Sequence, residues 1–203
     1  MIFVEKELAA LRDSVAKCTL CPLHEGRTQA VFGDGNPYSE LMLIGEGPGQ
    51  EEDLQGLPFV GKSGQLLDKI LEACGFIRQE HVYIANIVKC RPPANRDPQP
   101  DERETCLPYL KQQIRLIQPR IIILLGGTAL KGLIDPGAKI TRVRGEWIEW
   151  EGIQVMPTYH PSALLRTPDL KKEAWEDFQK VYHKYRELVD PTHHSPHVKE
   201  SDK

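Results

Sequence analysis

The sequence predicts an α/β fold, a three-layer α/β/α sandwich around a central, mainly parallel four-stranded sheet. Three observations carry this. RIIILLG at 120–126 is a solid apolar run, the mark of a strand buried on both faces, as in a parallel sheet. LMLIG at 41–45 ends at glycine and reads as a second buried strand, and the β-branched run VYIANIV at 82–88 reads as a third. Segments with helical periodicity separate them, and that alternation places helices on the faces of one sheet.

The elements follow in order. Residues 5–16 carry Leu8, Leu11 and Val15 at helical spacing. After the strand at 41–45, Ser63 is placed as the cap of a helix that carries Leu66, Leu67, Ile70 and Leu71 and stops at Gly75. After the strand at 82–88, Pro100 and Asp101 open a third helix that runs to about Gln118. GEWIEW (145–150) and IQVMPTYH (153–160), around Glu151-Gly152, read as a hairpin or strand pair, and 169–187 as a last amphipathic helix. PTHHSPHVKESDK has no apolar pattern, so one domain is expected over 1–190, with a disordered tail at 191–203.

With 203 residues the chain suits a single core, since cores grow to roughly 250 residues before chains split. The formal charge is −3, so no global basic character points to nucleic acid, and phosphate contacts must come from local clusters. No apolar run of about 18 residues suggests a membrane span. The charged N-terminal segment lacks the apolar core of a signal peptide, so a cytoplasmic location is expected. There disulfides between the five cysteines are not expected.

Cys18-Thr-Leu-Cys21 is a C-x2-C pair, and Cys90 and Cys106 are separated by fifteen intervening residues. A tight pair plus two distant thiolates can close a metal site, and spacing alone leaves zinc and an iron–sulfur cluster both open. Cys74 falls inside a helical pattern and reads as a core residue. GEGPGQEED (45–53) turns sharply after a strand but has no G-K-[ST] in register, so it is not a P-loop. Its acidic groups Glu46, Glu51, Glu52 and Asp53 are wrong for holding pyrophosphate and suit orienting water or stabilising a cation. Phe59, in GLPFVGKSG, can pack in a satellite core or stack on a flat base. Asn86, inside an apolar strand, needs partners for its amide, either backbone or a ligand with an acceptor and a donor side by side, as in the O4 and N3–H of uracil. His160 precedes Pro161 at a strand end, and ligands in such sheets sit beyond the carboxyl ends of the strands. Ser162 can start a helix there.

These motifs in this order resemble the family-four uracil-DNA glycosylases, the thermostable iron–sulfur branch of that superfamily, from Cys18 to about Trp175. The resemblance implies excision of uracil from DNA by hydrolysis of the N-glycosidic bond, the first step of base excision repair of deaminated cytosine. It also implies a structural [4Fe–4S] cluster on Cys18, Cys21, Cys90 and Cys106. Gly45, Glu46, Gly47, Phe59, Asn86 and His160 would surround uracil, with Glu46 and His160 catalytic and Glu52 a second acid. Arg142, Arg144, Arg166, Lys171 and Lys172 flank this site as candidates for DNA phosphate contacts. The expected partner is uracil-containing DNA, single- or double-stranded, bound by a monomer with no membrane attachment. One superfamily relative forms a covalent bond to DNA through a histidine in a basic insertion. RPPANRDPQPDE here has neither, so ordinary turnover is expected.

Overall fold

The computed structural model describes residues 2–198. In chain order the elements are α1 (Ile2–Ala16), α2 (Leu23–Gly26), β1 (Asp34–Gly35), β2 (Leu41–Gly45), α3 (Gln50–Gln55), α4 (Lys62–Ala73) and α5 (Arg78–His81). They continue with β3 (Val82–Asn86), α6 (Pro100–Ile117), β4 (Ile121–Leu125), α7 (Gly127–Leu133), α8 (Ile140–Val143), β5 (Ile148–Trp150), β6 (Ile153–Thr158), α9 (Pro161–Arg166) and α10 (Leu170–Leu188).

The sheet runs β1-β3-β2-β4-β6-β5. Its four central strands are parallel, as expected, with Ile44 opposite Ala85 of β3 and Leu124 of β4. Two short antiparallel strands extend the predicted four to six, β1 on β3 and β5 on β6. Neither edge carries an apolar run: β1 is Asp34-Gly35, and β5 is half exposed. The β5–β6 hairpin turns through Glu151 (φ 50°) and Gly152 (φ 80°), the left-handed pair that a two-residue turn requires.

Every residue of β2, β3 and β4 is buried, and the period-two alternation sends neighbours to opposite faces. Met42, Ile44, Ala85, Ile122 and Leu124 pack with α1, α6 and α7 through Leu11, Leu110 and Leu130. Leu41, Leu43, Ile84, Ile121 and Ile123 pack with α4 and α10 through Leu67, Phe178 and Val181. These are the three predicted layers.

Two boundaries differ from expectation. Gly61, not Ser63, caps α4. Where a disordered tail is expected, residues 191–198 follow a defined path. The His193 ring stacks on Phe76 at 4.6 Å, Tyr182 donates to the His193 carbonyl at 3.2 Å, and Ser195 donates to Ala73 at 2.6 Å. This packing comes from polar side chains reaching backbone, which leaves no hydrophobic period to read. The rest of the expected tail, 199–203, lies outside the described residues. Among the described residues no helix is long and apolar enough to cross a membrane.

From β2 the chain moves to β3 on one side, then crosses to β4 on the other, so the β2 and β4 exits diverge. That switch point is where a parallel sheet opens a crevice.

Candidate active site and cysteine centre

A cleft of about 580 Å³ occupies the switch point. Its walls take Glu46 from the β2 exit, Asn86 from the end of β3, Thr128 from the β4 exit and His160 from the β6 exit, with Phe59 reaching in from the loop before α4.

Asn86 is 2% exposed, and its Oδ1 is a buried acceptor without a hydrogen-bond partner. An unpaired buried polar atom costs about 1–3 kcal/mol, so an acceptor facing a cleft points to a donor on a ligand. Beside it, a Cβ on Gly45 would lie 2.5 Å from Asn86 Oδ1 and 2.7 Å from Phe59 Cζ. Gly45 is therefore what lets the amide and the ring share the floor. Phe59 itself has φ 53°, a left-handed conformation that costs a non-glycine residue about 1–3 kcal/mol. Arg78 holds it there, donating to the Phe59 carbonyl at 2.8 Å and to the Pro58 carbonyl while pairing with Asp68 at 3.0 Å. A Cβ on Gly64 would sit 1.9 Å from the same Phe59 carbonyl, so α4 can approach only with glycine. The ring ends 5.5 Å from that of His160.

Burial pushes the Glu46 carboxyl above its ordinary value, with the nearby Thr128 hydroxyl, Arg103 and Arg166 opposing the shift. Glu52, expected as a second acid, also reaches the cleft, but its oxygens are occupied. Oε1 accepts from the amides of Val60 and Gly61, both at 2.8 Å, and Oε2 from Gly49 at 3.2 Å. It joins the Gly-rich turn to the Phe59 loop, which makes it a clamp; the second-acid expectation is corrected on this geometry.

His160 caps α9, and its Nδ1 accepts from the Ser162 amide at 3.1 Å, with Ser162 Oγ at 2.8 Å. An amide can only donate, so Nδ1 carries the lone pair and Nε2 the proton. Burial pulls the imidazole pKa down to about 4, with the charge of Arg166 adding to the shift and Glu52 opposing it. At neutral pH His160 is thus an uncharged donor through Nε2.

The four predicted cysteines line a second recess, between the α1–α2 turn, the β3 exit and α6, with Val15, Leu20 and Tyr109 among its walls. Arg27 donates to Cys90 Sγ at 3.1 Å, and the Lys89 amide donates to Cys106 Sγ at 3.3 Å. Burial pushes the Cys106 thiol up to about 11, with Cys90 and Cys21 close enough to add to the shift. Four cysteines round one recess, two of them with donors already facing their sulfurs, fit a thiolate-ligated centre, in which a bound cation would offset the repulsion between the ionised sulfurs. Among the described residues no three His, Cys, Asp or Glu side chains meet as a single-ion site requires; the sulfurs are spread round the recess. Cys74 lies elsewhere, fully buried against Phe178, its thiol pushed up to about 12 by burial alone.

Of the basic residues, Arg166 is exposed at the cleft wall, Arg142 is exposed on α8, and Lys171 and Lys172 are exposed in the first turn of α10. Arg144 is different. It donates to Asp177 at 2.9 Å and pairs with Glu173 at 3.1 Å, and the fully buried Asp177 also accepts from Thr158 at 2.7 Å. Its guanidinium fastens the end of α8 to α10, so it is engaged within the fold and is no phosphate contact. Sequence reasoning missed Thr128, Lys131 and Arg78. The GGT at 126–128 directly after a strand was the available signal for the first.

A family model described as "Uracil DNA glycosylase superfamily" matches residues 32–179. The chain is 48% identical over 182 residues to the type-4 uracil-DNA glycosylase of Thermotoga maritima, covering 87% of this chain and 94% of that one. It is 44% identical to the type-4 enzyme of Saccharolobus solfataricus, covering 86% and 84%. To that of Sulfurisphaera tokodaii it is 43% identical, covering 86% and 83%.

Proposed function

The chain belongs to the type-4 uracil-DNA glycosylases of the uracil DNA glycosylase superfamily, and on that premise we propose that it excises uracil from DNA by hydrolysing the N-glycosidic bond, leaving an abasic site for base excision repair. The observation that carries this at the level of chemistry is the unpartnered Asn86 Oδ1 at the floor of the cleft, beside Phe59 and across from His160. The acceptor suits N3–H of uracil, and the amide donors suit O4. Cytosine offers an acceptor at N3 and is rejected.

A base inside a duplex is out of reach, so the target nucleotide is flipped into the cleft or met in a single strand. Phe59 supports the flat face of uracil, with Gly45 and Gly47 letting the backbone approach. As the C1′–N1 bond breaks, its electron pair passes to the base and charge collects on O2. His160 meets that charge with its Nε2–H as a fixed donor. Glu46 stabilises the cationic sugar, aims water at C1′ and takes its proton as the new C–O bond forms. Arg142, Arg166, Lys171 and Lys172 supply phosphate contacts. The enzyme acts as a cytoplasmic monomer. Cys18, Cys21, Cys90 and Cys106 hold a [4Fe–4S] cluster, which supplies cross-linking of α1, the β3 exit and α6 rather than reaction chemistry.

The reading is tested with a single-uracil oligonucleotide treated with enzyme and then alkali. Strand scission at the uracil is expected, and uracil-DNA binding without an abasic product would refute it. Purified protein is expected to be brown, with broad absorbance near ~400 nm from thiolate-bound iron. Replacing any of the four ligands should cut soluble yield, because cluster binding contributes to folding, while Cys74→Ala should cost little by comparison. Colourless protein with stoichiometric zinc after anaerobic purification would contradict the cluster. Gly45→Ala adds a methyl where none fits, an overpacking cost of about 1–3 kcal/mol. KM for uracil-DNA is expected to rise roughly thirtyfold at the middle of that range. An unchanged KM would mean that the base does not sit on this floor.

A further inference from the structure

We infer that Lys89 is a positioning residue for the reaction, its buried ammonium fastening the strand end from which Asn86 reads the base. This rests on the reading of Asn86 as the residue that recognises uracil. The need for a fastener comes from the sheet. β1 pairs with β3 at Tyr83 and Ile84 and stops short of Asn86. On the other side the β2 exit continues the pairing, with the Ile87 amide donating to Gly45 at 3.0 Å and the Val88 amide to Glu46 at 3.1 Å. The Asn86 carbonyl takes its donor from a side chain instead. Lys89 Nζ reaches back three residues and donates to it at 2.9 Å. The same ammonium donates to Gln113 Oε1 on α6 at 2.6 Å. Gln113 Nε2 donates in turn to the Phe32 carbonyl at 2.9 Å and the Tyr83 hydroxyl at 3.2 Å. The Lys89 peptide is fixed as well, its carbonyl accepting from Val31 at 2.7 Å and its amide donating to Cys106 Sγ.

Core packing does not account for this lysine. Lys89 is 1% exposed and Gln113 is fully buried, and both acceptors of the ammonium are uncharged. Neither offsets the lost hydration with an ion pair, so an apolar side chain of the same length would pack there at lower cost. What lysine supplies, and an apolar residue does not, is a donor at the Asn86 carbonyl. That carbonyl belongs to the residue whose Oδ1 is the unpartnered acceptor on the cleft floor. If its peptide turns, the amide shifts against Gly45 and Phe59. The clearance there leaves no slack, since a Cβ on Gly45 would already lie 2.5 Å from Oδ1. A misplacement of about 1 Å at such a contact costs up to ~100-fold in rate.

The test is a double-mutant cycle in kcat/KM on a single-uracil oligonucleotide, with Lys89→Met, Asn86→Ala and the pair. Inhibition by free uracil and affinity for abasic-site DNA are measured beside it, and cooperative melting identifies folded variants. Lys89→Met keeps the length and removes the donors. It is expected to lower kcat/KM about tenfold, the upper scale of one hydrogen bond, and to weaken inhibition by uracil to a similar degree. Abasic-site DNA presents no base, so its affinity should stay within about twofold of wild type, and in the Asn86→Ala background Lys89→Met should likewise cost under about twofold, because residues that act as a unit are not additive. A wild-type kcat/KM in Lys89→Met, with Asn86→Ala impaired, overturns the inference and leaves Asn86 in place. A full loss retained in the Asn86→Ala background, or a parallel loss of abasic-DNA affinity, makes Lys89 merely structural, which also overturns it. A wild-type kcat/KM in Asn86→Ala removes the reading of Asn86, and the inference with it. If Lys89→Met does not fold, Lys89→Arg takes its place with the same expectations, since a longer planar head keeps the charge but cannot put a donor at the same point. Failure of both to fold makes the lysine a strut of the core and overturns the inference.

Discussion

His160→Ala is expected to cleave uracil-DNA at least ~100-fold more slowly in single turnover, since one preorganised donor to a developing oxyanion is worth about 3–4 kcal/mol. Fold, cluster and uracil-DNA affinity should be nearly unchanged, because the bond strengthens only as charge develops on O2. Such a bond lowers the barrier without deepening the ground state. The tautomer makes this concrete. Ser162 occupies Nδ1, so the proton is on Nε2, and burial holds the ring neutral with a pKa of about 4. Between about pH 5 and 8 the rate should therefore show no inflection from His160, and any acid limb belongs to Glu46. Ser162→Ala keeps the backbone amide, so it should cost far less than His160→Ala. The control His183→Ala, on α10 away from the cleft walls, should be silent. If His160→Ala misfolds or loses its colour, the histidine is structural. If it cleaves at the normal rate, leaving-group stabilisation comes from elsewhere, with the amides of the Gly47–Gly49 turn the next candidates.

What the sequence made legible follows from which interactions leave a pattern in it. The central strands were readable because burial on both faces demands unbroken apolar runs such as IIILL. The edge β1 was harder, since backbone pairing at an edge needs no particular side chain, whereas the edge β5 could be read from the Glu151-Gly152 turn that joins it to β6. Glu46, Asn86 and His160 could be singled out because polar residues at the ends of apolar strands must face a crevice in a parallel sheet. Glu52 and Arg144 show where that reasoning stops. An acid in a Gly-rich loop looks the same whether it faces water or accepts three amides. An arginine near a site looks free until the buried Asp177, 33 residues later, is brought against it. The tail at 191–198 was misread for a related reason: it is held through single hydrogen bonds to Ala73 and from Tyr182, which have no periodicity. Arg78 acts on the backbone of the Phe59 loop across the fold, and no local spacing records such a contact.

Asn86→Asp is expected to lose most uracil excision, at least ~100-fold in kcat/KM, with the protein still folded and brown. The wild-type amide offers Oδ1 to N3–H and Nδ2 to O4. An ionised aspartate keeps the first bond but sets a second carboxylate oxygen against O4, where donor becomes acceptor. Leaving a buried acceptor opposed rather than paired costs about 1–3 kcal/mol, and more when a charge is involved. About 3 kcal/mol corresponds to a factor near ~100. The charge adds to the loss because Asn86 is 2% exposed, so an anion at its position is stripped of water. The aspartate can escape that penalty by taking up a proton, which makes it a donor on one side. Sign and direction follow: protonation grows as pH falls, so the defect should shrink at low pH, whereas a merely misfolded variant would not recover. Asn86→Ala separates the two effects, since it removes both hydrogen bonds without adding charge, and it should be less damaged at neutral pH than the aspartate. The same acceptor that repels O4 can receive the N4 amino hydrogens of cytosine, so a cytosine oligonucleotide belongs in the assay as the readout of altered recognition. Wild-type uracil activity in Asn86→Asp would sink the assignment, because no arrangement in which this amide reads the uracil edge survives replacing its donor with a carboxylate.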